Sequence, residues 1–140
     1  MKNTAIETKE VGKISGRDAI FLDLLQQDLG KLSFIGEFNS SLISKNKFDC
    51  KFIPYKLIFE DVIYFECCEL DFSVCNYESS FDVVENSELL LRFKKHDTNK
   101  ITENHKHFVL QTYDYVYNIL AVDYKLEINP LCKNKNEPFR

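Results

Sequence analysis

The chain has 140 residues, 44% of them hydrophobic and 14% aromatic, with 12 Phe, 7 Tyr and no Trp. That is the size of one ordinary domain with a core of rings and branched aliphatics, and it excludes a disordered or collagen-like polymer. The net charge of −4 argues against a nucleic-acid binder, which needs a basic stripe, and no apolar run reaches the length of a membrane span.

Residues 1–13 are polar and include Glu7 and Glu10. They read as a flexible lead with no apolar segment of a secretory signal, so a cytoplasmic chain is expected. A single globular domain is expected over residues 14–129. Within it, Ile20, Phe21, Leu24, Leu25 and Leu29 recur at three- and four-residue spacing. That spacing predicts an amphipathic helix, capped by Ser15 or Asp18 and closed by Gly30. It would cover one face of a sheet. Residues 32–38 read as a strand with Leu32, Phe34, Gly36 and Phe38 on one side. A polar loop follows over residues 39–47. Residues 48–59 read as a strand, with Pro54 marking an edge or bend. Glu60 and Asp61 suit a hairpin turn between two apolar runs.

Residues 62–72 read as a further strand. Tyr64, Glu66, Cys68, Leu70 and Phe72 share one side, and Phe65, Cys67, Glu69 and Asp71 the other. A bulge near Cys67 and Cys68 would align the phases. Residues 81–84 form a short strand. Asn86 or Ser87 caps a brief helix over residues 88–95, whose Leu89, Leu90 and Leu91 suggest burial. Residues 107–112 and 116–128 are β-leaning, with a turn at Tyr113 and Asp114. A helix over residues 112–121 competes, because Tyr113, Val116, Tyr117 and Leu120 also fit a helical face. Residues 130–140 form a polar tail. The fold class is α+β: a predominantly antiparallel sheet of about six to eight strands with one or two helices.

Charge is distributed unevenly. Between Leu57 and Leu91 stand Glu60, Asp61, Glu66, Glu69, Asp71, Glu78, Asp82, Glu85 and Glu88, with no Lys or Arg. The other 105 residues carry 18 basic and 13 acidic side chains. The plainer reading is a solvated sheet face that is negative, with the cations of residues 92–106 lying across it. The sharper reading is a patch that docks a basic partner, with Tyr64, Phe65 and Tyr77 as ring anchors. Its contact residues would be Glu60, Asp61, Tyr64, Glu66, Glu69, Asp71, Tyr77, Glu78 and Asp82.

Catalytic signatures are sparse. The chain has neither G-x-x-x-x-G-K-[ST] nor G-x-G-x-x-G, and no G-x-S-x-G surrounds any serine. Ser79 and Ser80 lack a placed base. Cys50, Cys67, Cys68, Cys75 and Cys132 are odd in number and match no metal spacing, so buried thiols are the ordinary reading. His105 and His107 would lie on one side of a strand, half of a metal or acid–base site. With carboxylates they form the alternative reading, a small enzyme or metal-binding protein. No cofactor is implied.

The stretch Tyr55-Lys-Leu-Ile-Phe-Glu-Asp-Val, the later run over residues 116–128, and the usage rich in Asn, Lys, Ile and Phe resemble immunity proteins of bacterial toxin systems, such as those of contact-dependent growth inhibition. The resemblance is one of type, over residues 14–129. It implies a non-enzymatic cytosolic inhibitor that binds a cognate basic toxin domain, a nuclease by preference. It implies no nucleic acid and no membrane as partners. A third reading is a module whose sheet edge pairs with itself as a weak homodimer.

Overall fold

The computed structural model describes residues 2–73, 77–96 and 99–129. Nine strands form two antiparallel sheets. They are β1 (Lys2–Ala5), β2 (Ile20–Asp28), β3 (Lys31–Asn39), β4 (Phe52–Glu60), β5 (Tyr64–Glu69), β6 (Phe81–Glu85), β7 (Lys106–Gln111), β8 (Tyr115–Ala121) and β9 (Asp123–Ile128). One α-helix, α1 (Glu88–His96), and two single 3-10 turns, Ser40–Leu42 and Leu70–Phe72, complete the described elements. The strand orders are β1-β6-β7-β8-β5 and β2-β3-β4-β9.

The α+β class and antiparallel character follow the sequence expectation. The early helix does not. Residues 20–28 are β2, paired with β3 from Ile20↔Phe38 to Asp28↔Lys31. The register slips between Leu22 and Leu24, leaving Asp23 as the extra residue of a bulge. Ile20, Leu22 and Leu25 therefore face the core, at spacings of two and then three. That broken period mimics a helical stripe. Leu24 and Leu29 are exposed at 48% and 98%, and Gly30, with φ +69, closes a hairpin instead of a helix. Gly36 makes this pairing close. A Cβ there would fall inside the van der Waals shell of the Phe21 carbonyl.

Lys2–Ala5, expected to be a loose lead, pairs with β6. The Glu60–Asp61 hairpin is also corrected. β4 pairs with β9 while β5 pairs with β8, so the chain crosses between sheets at residues 61–63. Asp61 takes φ +54 there, a left-handed conformation that a short polar residue tolerates. The Ile63 N–H donates to the Leu120 carbonyl and the Val122 N–H to the Glu60 carbonyl. The two ladders thus form one bent ribbon. β5 needs no bulge, because its register with β8 is continuous from Tyr64↔Leu120 to Glu69↔Tyr115. At Pro54 the strand has outrun β9, which pairs only from Tyr55, so the absent donor costs little.

The core lies between the sheets. Phe34 and Phe59 from one sheet meet Tyr117, Phe81 and Phe108 from the other at centroid separations of 5.0–6.0 Å. Most of these contacts are edge-to-face, the geometry ring quadrupoles favour. Behind the five-stranded sheet lies a smaller cluster of Val84, Val109 and Val116, with Cys68, Leu70 and Tyr77 packed on it. α1 lies against β7, and its Phe93 ring meets Tyr64 at 4.6 Å. Its leucines are not deeply buried, and Leu91 is 54% exposed. Cys50 is buried and disulfide-bonded, which corrects the expectation of a thiol there; Cys67 and Cys68 are thiols outside any disulfide. The C-terminal tail and the connection at residues 74–76 lie outside the described residues. Among those described, no helix is long and apolar enough to cross a membrane.

Replacing Gly36 with Ala should destabilise the fold by about 2–4 kcal/mol, because the bulged β2 cannot retreat without losing the Ile20 and Leu22 contacts. Urea unfolding of the Gly36→Ala variant measures it, and a loss near zero would show that β2 adapts.

Candidate functional site

The pleat of β5 divides the acidic segment. Tyr64, Glu66 and Cys68 face away from the core, while Phe65 packs inward against it and Cys67 and Glu69 share its side. Tyr64 and Glu69 stand five residues apart, roughly 16 Å along the strand. The carboxylates therefore do not form one field. Glu60 is half-buried and Asp61 exposed at the crossing between sheets. Glu66 is exposed and accepts a 3.2 Å hydrogen bond from the Tyr64 hydroxyl. Burial first, and then the Glu66 charge, hold the Tyr64 phenol above its ordinary pKa.

Asp82 is a correction. It is fully buried, where it accepts from the Ser79 hydroxyl at 2.5 Å and the Glu78 N–H at 2.9 Å. A further hydrogen bond comes from Asn3 Nδ2 at 3.3 Å. It ties β1 and the entry to β6 together and cannot touch a partner. Tyr77 is half-buried against the valine cluster and bonded to Ser73, so it serves packing. Glu78 is exposed.

What the fold does assemble is a patch at the far end of β5. Glu69 sits opposite Tyr115 in the ladder. The Leu70 N–H donates to the Asp114 carbonyl at 2.9 Å, which seats the Leu70–Phe72 turn against the β7–β8 hairpin. Glu69, Asp71 and Asp114 consequently surround a cavity of about 190 Å³ shared with Arg17, Leu70 and Tyr115. Phe72, Tyr113 and Tyr115 are exposed at 77%, 41% and 44%. Phe72 follows Asp71, and Tyr113 flanks Asp114. Arg17 lies over the Tyr113 ring, 5.2 Å from its centroid, and offsets one of the three charges. The hairpin is rigidly made: Thr112 Oγ1 donates to the Tyr115 carbonyl and accepts from its N–H. Tyr113 also stacks on Phe21 at 5.6 Å. Sequence reasoning found Glu69 and Asp71 but missed Asp114, Phe72, Tyr113 and Tyr115. The turn signal at Tyr113 and Asp114 was visible, but its proximity to residue 70 is a fact of strand order.

The two histidines share a second location. Both are buried and line a groove of about 750 Å³ between α1, β6 and β7. The His107 Nδ1 lies 2.6 Å from Ser87 Oγ and its Nε2 2.7 Å from Asn118 Oδ1. An amide oxygen accepts, so Nε2 carries the proton and the Ser87 hydroxyl donates to Nδ1. Burial lowers the His107 pKa, against smaller raising effects of the Asn118 bond and the Glu66 charge. His105 Nδ1 accepts from the Thr102 N–H at 3.0 Å, while its Nε2 is buried without a partner. Among the described residues, no group of three or more His, Cys, Asp or Glu is placed to hold a metal ion.

His107 should make stability pH-dependent. Its folded pKa lies below the ordinary 6.5, so the unfolded chain takes up the proton first. Stability from this group is complete above about pH 6.5, falls as pH drops toward the folded pKa, and is level below it. Each pH unit in that window costs at most about 1.4 kcal/mol. Urea titrations at several pH values should show this slope in the wild type and its loss in His107→Gln; equal slopes would contradict it. No family model, curated protein or solved structure matches this chain, and the geometry alone carries the functional argument.

Proposed function

We propose that this chain is a stoichiometric binding protein that neutralises a basic partner by covering it, as an immunity protein covers its toxin. The observation that carries this reading is the convergence of Glu69, Asp71 and Asp114 with the exposed rings of Phe72, Tyr113 and Tyr115. Monomeric proteins rarely leave several large rings together in water without a use for them. Tyr and other aromatics anchor protein interfaces, and carboxylates around them select and steer a cationic client. A nuclease domain is the fitting client, because a surface built for phosphates also accepts carboxylates. Glu66, Glu78 and Asp61 lie outside the anchor and contribute through the long-range field, which governs association rate more than affinity.

The test uses the product of the neighbouring open reading frame as client, provided it ends in a basic domain. The double variant Glu69→Lys with Asp71→Lys should raise Kd at least about 100-fold, and Phe72→Ala or Tyr115→Ala at least about tenfold each. Association should slow with added salt. Calorimetric Kd values unchanged in all three variants would remove this surface from the account.

A further inference from the structure

The groove between α1, β6 and β7 lies apart from the acidic aromatic patch. Its floor holds Ser87, the residue that opens α1. Ser87 Oγ accepts the Leu90 N–H at 3.0 Å, the ordinary duty of an N-cap. That duty uses only an oxygen lone pair. It does not require the hydroxyl proton to be held at 2.6 Å by a buried imidazole, nor that imidazole's far nitrogen to be fixed at 2.7 Å by an amide. Three elements supply the three groups: the β6–α1 junction, β7 and β8. Asn86, with φ +55, makes the sharp strand-to-helix turn that presents Ser87 at the groove.

We propose that Ser87 is a nucleophilic serine, with His107 as its general base and Asn118 as the residue positioning His107, and that the groove takes a small apolar carboxylic ester. The groove is of ligand size, about 750 Å³, within the range of small-molecule sites. Ile6, Val84 and Leu90 supply apolar wall. His105 also stands on its lining, and its Nε2 is buried with no partner among the described residues.

The chemistry balances without a cofactor. Ser87 Oγ attacks the ester carbonyl carbon as its proton passes to His107 Nδ1. The attack leaves the former carbonyl oxygen as an oxyanion. The carbon–oxygen bond then breaks, and His107 returns the proton to the departing alkoxide. Water attacks the acyl-serine by the same route, giving the carboxylic acid and free Ser87. Asn118 holds the Nε2–H and thereby keeps the Nδ1 lone pair toward Ser87.

The full chain is treated with a fluorophosphonate probe, which bonds a serine oxygen to phosphorus with loss of fluoride, and then read by intact and tandem mass spectrometry. Hydrolysis of p-nitrophenyl butyrate is followed in parallel. One adduct per chain, located on Ser87, is expected. Ser87→Asn, which keeps a capping side chain, should abolish labelling and hydrolysis, and His107→Gln should slow labelling at least 100-fold. Asn118→Ala should slow it, and Asn118→Asp, which can still hold the Nε2–H, should restore it. A folded wild-type chain that stays unlabelled, an adduct elsewhere, or wild-type labelling of His107→Gln overturns the proposal. If Ser87→Asn fails to fold, the adduct position in the wild type decides.

Discussion

Everything on the outside of this molecule is placed by the interlocking of rings between its two sheets. Phe34 and Phe59 enter from one side; Phe81, Phe108 and Tyr117 enter from the other. Sheets packed face to face stand about 10 Å apart, and edge-to-face rings fill that depth with few voids. Tyr55 extends the layer. It stacks on Phe38 at 4.2 Å and donates to the Phe21 carbonyl, so burial pushes its phenol well above the ordinary range. With the inner positions of β3, β4, β7 and β8 committed to rings, the alternation of each strand dictates what the outer face receives.

Two regions outside the ring layer are put to different uses. Where β5 ends, carboxylates and rings collect beside the β7–β8 hairpin. Near the start of β5, the chain instead lays α1 against β7 and builds a polar relay of Asn118, His107 and Ser87. Glu66 links the two regions, since it pairs opposite Asn118 in the ladder and its charge bears on His107. Asp82 shows the other fate of an acid in this segment. Its oxygens are used by Asn3, Glu78 and Ser79, and the burial of a charge is bearable only on such terms.

Strands with clean alternation were legible from the sequence. Tyr55, Leu57 and Phe59 do face the core together, and Ser87 does cap α1. The reading failed where local pattern and tertiary pairing disagreed. One extra residue in β2 turned a two-residue period into a false helical stripe. The crossing at residues 61–63 resembled a hairpin because the sequence cannot say which strands become neighbours. The same blindness hid the acidic aromatic patch: residues 69–72 and 113–115 meet only because β5 and β8 pair. It also hid the relay, since Ser87, His107 and Asn118 come from three separate elements. The two histidines line one groove, but His105 precedes β7, and the neighbours of the His107 nitrogens were ones that spacing could not name.

β5 is the outermost strand of its sheet, and such a strand is a template on which a second molecule can add its own backbone. Here the strand bears Glu66 and Glu69 on opposite sides of its pleat. Two copies aligned edge to edge would bring like charges together along the seam. The anions thus act as gatekeepers against fibril growth while the protein is crowded and unliganded.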